Sequence, residues 1–350
     1  MRITYKAVTA LIVWGLMLAS GAQAQSYGTT YTNASSTLVT KSGELLAFSC
    51  AGGGPCSTTA TVTVAAGYSI QQVWLTGYRA WFSQSGQVLP VRRIKIAMKI
   101  DSYNSVTGAV TWKLETEVRS SAAANTPYKI DAFFQIALAQ TSEVSLTSVT
   151  QSCSSTSGGT CTNNTTHTGV APTGYTFAGF AFSAFDLQIT EAGGAGISMW
   201  EMGADASSWT QSSSNITLTL AGVLRDTSTT EDMQLDATLV AIAAKSVAAQ
   251  FVARADDSTN TATAFSTNVT TGAGASRNGA AAGLDKWNNI FTSGNARNIW
   301  RWDAGYNAVG MTGGNTWSAN KIGFLGDTWN NTTSSGNFTT TTDSLVIFLM

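Results

Sequence analysis

The skeleton Trp-x-x-Gly-x-x-Ala occurs three times in this chain, as Trp74, Gly77 and Ala80, as Trp200, Gly203 and Ala206, and as Trp302, Gly305 and Ala308. Each copy is followed, tens of residues later, by an Asp that opens an apolar run: Asp131 before Ala-Phe-Phe, Asp236 before Ala-Thr-Leu-Val, and Asp343 before Ser-Leu-Val-Ile. Two linked features recurring in the same order mark an internal repeat with variable middles, and a repeat constrains the fold more than any local propensity does. A Trp beside a Gly in a strand context points to core packing, with the Gly permitting close approach of another backbone.

The segments between the repeats are strands. Ile94, Ile96, Met98 and Ile100 alternate with Arg93, Lys95 and Lys99, and after the turn Asn104–Gly108 the residues Trp112, Leu114, Thr116 and Val118 alternate with Lys113, Glu115 and Glu117. Period-two alternation of this kind predicts a hairpin with one core face and one wet face, and its basic residues can pair across the ladder with the glutamates. Phe133–Ala139 predicts a buried strand, and the Ala-rich stretch from Leu239 to Ala244 takes the same reading from its place in the repeat. Phe177, Phe180, Phe182, Phe185, Leu187 and Ile189 predict an aromatic strand pair, and Ile216–Leu220 another strand. Residues 26 to about 44 predict an arm or a first edge strand.

The expected fold is therefore all-β: two or three tandem antiparallel β-sandwich-like units behind a cleaved signal peptide. The divisions expected are 1–24 for the signal peptide and 25–150, 151–257 and 258–350 for the units. Arg2 and Lys6, the apolar run from Ala7 to Ala19 and Ala22-Gln23-Ala24 have the form of an export signal cut after Ala24. No run is long enough for a transmembrane helix in the mature chain.

Cleavage removes Arg2 and Lys6 and leaves seventeen basic against twenty acidic side chains. Only 11% of the chain is charged, under half the usual share. Nothing here forms a basic stripe, so nucleic acid is not an expected partner. A weakly charged, nearly neutral surface favours self-association or contact with other surface proteins. In an exported chain the pairs Cys50/Cys56 and Cys153/Cys161, each flanking a Gly-containing loop, predict two local disulfides.

Chemistry-bearing residues are few. His167 is the single histidine; it sits in a polar stretch predicted to be a surface loop, and its solitude excludes a zinc site or triad that needs two imidazoles. Glu115, Glu117, Glu191, Glu201, Asp205 and Asp303 are the carboxylates available to a glycosidase pair, but Glu115 and Glu117 are explained by the wet face of the hairpin and the others have no evident partner. Asp256, Asp257 and Asn260 lack calcium-loop spacing and predict a solvated turn. No catalytic residue, metal or cofactor is expected. Tyr78, Trp81, Trp209 and Tyr306 lie just beyond the repeat core, where exposed rings would stack on sugars.

The segment Lys95 to Ala139, with its Ser102–Gly108 turn and closing apolar strand, resembles repeats of phage tail-fibre proteins and small H-type lectin units; it covers about one unit and carries over no site residue. The function expected is that of a secreted, bacterial-type structural or adhesive β-protein of the cell surface or an extracellular filament, not an enzyme. A carbohydrate-binding module is the first alternative, with glycans as ligands, and an outer-membrane β-barrel the second.

Overall fold

A computed structural model describes residues 29–349, apart from short stretches at 35–37, 53, 122–125, 140–142, 191–194, 228–230, 246–248, 255–256, 264, 273–278, 293, 313–315 and 332. The signal-peptide segment and Glu191 lie outside the described residues. The expected all-β, antiparallel architecture is what the chain adopts. Its first stretch forms β1 (Thr29–Ala34), β2 (Leu38–Cys50), β3 (Cys56–Thr63), β4 (Ile70–Phe82), β5 (Arg93–Asn104), β6 (Ala109–Arg119) and β7 (Tyr128–Ala139). The second forms β8 (Val144–Ser155), β9 (Thr160–His167), β10 (Tyr175–Ile189), β11 (Glu201–Ser212), β12 (Asn215–Arg225) and β13 (Met233–Lys245). The third forms β14 (Ala249–Arg254), β15 (Asp257–Thr263), β16 (Phe265–Gly272), β17 (Gly279–Phe291), β18 (Arg301–Thr312), β19 (Thr316–Gly326) and β20 (Thr333–Leu349). The aromatic strand pair expected from Phe177 to Ile189 is instead the single strand β10, which two register shifts let curve around the core.

These strands build three sheets, and each sheet joins strands from two of the three stretches. Sheet 1 runs β1-β2-β7-β4-β18-β19-β16, sheet 2 runs β3-β6-β5-β10-β13-β8, and sheet 3 runs β14-β20-β17-β11-β12-β9, with β15 also on β20. The pattern is cyclic. The half-sheet β3-β6-β5 pairs with β10-β13-β8 of the next stretch, β9-β12-β11 with β17-β20-β14, and β16-β19-β18 returns to β4-β7-β2. The chain thus closes as a pseudo-threefold ring of half-sheets. Three sheets around a packed interior are not the single closed sheet of an outer-membrane barrel, so that expectation fails on topology.

The central strands β4, β10 and β17 meet on the pseudo-axis. Each carries a register shift at the same place, between Leu75 and Gly77, Phe182 and Ala184, and Leu284 and Lys286. A bulge turns the side-chain alternation over, so each strand sends one residue to the axis before the shift and another after it. After it come Tyr78, Phe185 and Trp287, all at most 1% exposed, with ring centroids 5.3 to 5.4 Å apart in every pairing. Before it come Trp74, Ala181 and Gly283, which also touch: a Cβ on Gly283 would lie 2.5 Å from that of Ala181 and 2.9 Å from the Trp74 ring. One indole fills the space that three equivalent positions share, and it donates Nε1–H to the Ala282 carbonyl at 2.8 Å.

The strands leading into β5, β11 and β18 close a smaller ring. Val91 pairs with Ile197, Met199 with Arg297, and Ile299 with Leu89, each pair exchanging two backbone hydrogen bonds of 2.8 to 2.9 Å. Two vertices between sheets are tied covalently, Cys50–Cys56 linking β2 to β3 and Cys153–Cys161 linking β8 to β9, as the spacing predicted. The third vertex, β15 to β16, places Phe265 at the register position of Cys56 and Cys161.

The ring also corrects the alignment of the sequence motif. Trp200 and Trp300, not Trp302, are equivalent, since each precedes its strand and donates its backbone N–H to the facing hairpin, to Arg225 and Gly326 respectively. The Trp74 copy lies on β4, across the sheet from β18. Gly77 and Gly305 consequently face each other in register, and a Cβ on Gly305, whose φ is +102°, would come within 2.4 Å of the Gly77 Cα. The repeated glycine does serve close backbone approach, but from opposite sides of one seam. Asp131 and Asp236 are equivalent on β7 and β13, whereas Asp343 stands two residues beyond the matching Thr341.

Candidate functional site

Where one stretch hands over to the next, the two half-sheets pair over only five residues before diverging: Arg93–Ala97 with Ala184–Gln188, Glu201–Asp205 with Lys286–Ile290, and Arg301–Gly305 with Gly77–Trp81. Short pairing leaves each seam few ladder hydrogen bonds. Each seam carries ion pairs from among the chain's scarce charges. At the seam of sheet 2, Arg93 bonds both Asp186 oxygens, at 2.8 and 2.5 Å, and reaches Glu117 at 3.0 Å. At the seam of sheet 3, Glu201 holds Arg225 and accepts the Asn288 amide at 2.9 Å, while Lys286 pairs with Asp205 at 3.3 Å. At the seam of sheet 1, Asp303 is gripped by Arg301 and lies 3.7 Å from Arg79, which also reaches Asp131 at 3.4 Å.

Burial sets the electrostatics. Asp303 is 2% exposed, and desolvation pushes its carboxyl above the ordinary range against the pull of Arg301 and Arg79. The Tyr78 phenol is pushed far up by burial and, secondarily, by Asp303. On the wet face Glu115 accepts from Lys113 at 2.8 Å and Lys99 at 3.0 Å, which holds it at about 2. The expected cross-strand pairing of the β5–β6 hairpin is therefore present, and the lysines and arginines around Glu115 and Glu117 hold those carboxylates as structural partners.

Of the four aromatics singled out for stacking, Tyr78 and Tyr306 are fully buried and offer no face to solvent. Both follow the repeat core on strands whose alternation turns them inward, and Tyr306 donates to the Thr342 carbonyl at 3.2 Å. Trp81 and Trp209 remain partly exposed, Trp209 edge-on against Phe177 at 4.7 Å. His167 is not in a loop but ends β9, half-buried, its Nε2 3.0 Å from Gln151 Oε1; burial lowers its pKa. Asp257 and Asn260 lie in β15 rather than in a turn, and Asp256 is outside the described residues. Among the described residues no three His, Cys, Asp or Glu side chains gather as metal ligands.

Two grooves lie on the seams. That of sheet 2, about 540 Å³, is lined by Lys95, Glu115, Asp186, Asp236 and Thr238. That of sheet 3, about 260 Å³, has Gly203, Ala221 and Val223 among its lining, with Thr160, Thr162, Asp205, Lys286 and Asn288 around them. Sequence reading named Asp205 only as a lone carboxylate. The signal that would have found the groove is the substitution of small residues at repeat-equivalent positions, which becomes visible only once the strand registers are known.

No protein-family model matches this chain, and no curated protein matches it. Similarity to solved structures is at low level. The major capsid protein P2 from bacteriophage PM2 matches with 10% identity and a TM-score of 0.18, over 63% of this chain and 97% of that one. Another, described as "The Triple Jelly Roll Fold and Turret Assembly in an Archaeal Virus", matches with 11% identity and a TM-score of 0.15, over 93% and 90% of the two chains. Superpositions with scores this low carry no functional weight.

Proposed function

We propose that the protein is an exported structural or adhesive β-protein, a rigid block for the cell surface or an extracellular assembly, and that it is not an enzyme. The observation supporting this reading is the cyclic closure of the three sheets. Strands of the first and third stretches share sheet 1, so local opening at any seam is opposed by the other two. Disulfides at two vertices suit an oxidising compartment. Charges are few, several of them are paired at the seams, and the exposed positions of β3 and β9 are Thr, Ser and Asn, a surface that does not repel a second copy.

Size-exclusion chromatography with light scattering and negative-stain microscopy on residues 25–350, produced with disulfides intact, test this. Ordered oligomers or fibres, or saturable adhesion to cell surfaces, are expected. A monomer that neither assembles nor adheres at any concentration tried would overturn it.

A further inference from the structure

The three seams can be compared position by position, because their registers agree. On the face turned away from the axial aromatic cluster, sheet 2 places Lys95, Glu115 and Glu117 at three neighbouring positions, and sheet 1 places Asp303, Ile322 and Phe324. Sheet 3 places Gly203, Ala221 and Val223 at those same positions. At these positions two seams carry large or charged side chains, with the groove of sheet 2 lying among its charges; the third carries only small residues and forms a depression floored by them. Gly203 cannot be enlarged, since a Cβ there would meet the Trp287 carbonyl at 2.6 Å and Asn288 Oδ1 at 2.7 Å.

We propose that this depression is a binding site for a single neutral sugar ring. Its floor of Gly, Ala and Val is flat and apolar, which suits the C–H face of a pyranose. Its rim combines Asp205 and Lys286, side by side at 3.3 Å and each about one-third exposed, with the hydroxyls of Thr160 and Thr162. The ion pair offers an acceptor and a donor while cancelling in charge, so a hydroxyl-rich neutral ligand fits where an anion or a cation would meet repulsion from one partner. The backbone N–H of Ser207 bonds Asp205 Oδ1 at 2.8 Å and fixes the carboxylate, leaving its position independent of the ligand. The groove of sheet 2, although larger, sets Lys95, Glu115, Asp186 and Asp236 among the small residues Ala97, Ala184 and Ala237, so charge dominates its lining where Gly, Ala and Val dominate that of sheet 3. This site does not depend on the structural role proposed above.

The test uses the full mature chain and the methyl α-glycosides of glucose, galactose, mannose and N-acetylglucosamine as probes, read by saturation-transfer NMR and calorimetric titration. Ala221→Ile fills the floor with the residue that sheet 1 carries at the equivalent position, and Thr162→Val removes one rim hydroxyl without changing shape; the second carries the test if the first fails to fold. At least one glycoside is expected to bind the natural chain, and each variant that keeps its melting temperature is expected to weaken it about tenfold or more. Absence of binding for all four probes, or binding that the folded variants leave unchanged, overturns the proposal.

Discussion

The packing of Trp74, Ala181 and Gly283 on the pseudo-axis is open to a double-mutant cycle. Trp74 is fully buried. Replacing it with Ala removes a large apolar surface and leaves a void that the surrounding strands cannot fully close, which costs about 3–5 kcal/mol. Gly283→Ala has the opposite fault. It forces a methyl to within 2.5 Å of the Ala181 Cβ and 2.9 Å of the indole, an overpacking worth roughly 1–3 kcal/mol. If the three positions share one volume, the added methyl occupies part of the space the indole vacates. The double variant should then be at least about 1 kcal/mol more stable than the sum of the single losses predicts. Guanidinium unfolding of all four proteins, followed by tryptophan emission and far-ultraviolet circular dichroism with disulfides intact, gives the cycle. Losses that add to within about 0.5 kcal/mol would show that Trp74 and Gly283 do not compete for the same space, and the axial-layer account would be wrong.

Tyr78→Phe should leave stability unchanged or raise it by about 1 kcal/mol, because the buried hydroxyl finds no hydrogen-bond partner among the described residues; a loss of that size in thermal unfolding would reveal a partner. Glu115, at about 2 beside Lys99 and Lys113, and Asp327, drawn down by Ser334, Ser335 and Arg297 although burial pushes it up, both have folded-state pKa values below their unfolded ones. Their contribution is whole above the unfolded carboxyl range and is lost as the pH falls through the folded values. Glu115→Gln should therefore flatten the fall in melting temperature between about pH 4.5 and pH 2 while leaving its slope above that range unaltered. Replacing Cys153 and Cys161 together with Ala should cost roughly 2–3 kcal/mol, the chain-entropy value for so short a loop, measured by denaturant midpoint; no change would mean that the bridge does not constrain the unfolded chain.

Much of the local structure was legible in the sequence, because it rests on alternation. The β5–β6 hairpin follows from apolar residues at period two, the buried β7 from a short continuous apolar run and the Ala-rich β13 from its place after the second motif, and both disulfides follow from cysteines that flank short loops. The candidate site was not legible in the same way. Asp205 and Lys286 are eighty-one positions apart and meet only because β11 of one stretch pairs with β17 of the next. For Tyr78 and Tyr306 the sequence leaves open both a core ring and an exposed stacking ring; the inward alternation of β4 and β18 decides for the core.

The sequence by itself determined that the chain is an antiparallel β-protein with locally bridged cysteines, since periodicity, turn residues and short loops act over a few residues. Only the tertiary structure decided that three stretches exchange half-sheets in a closed ring, that Trp200 matches Trp300, and that one seam of three carries only small residues at its outer positions. Those are matters of register between distant strands, and register is set by which side chains fit together on the axis.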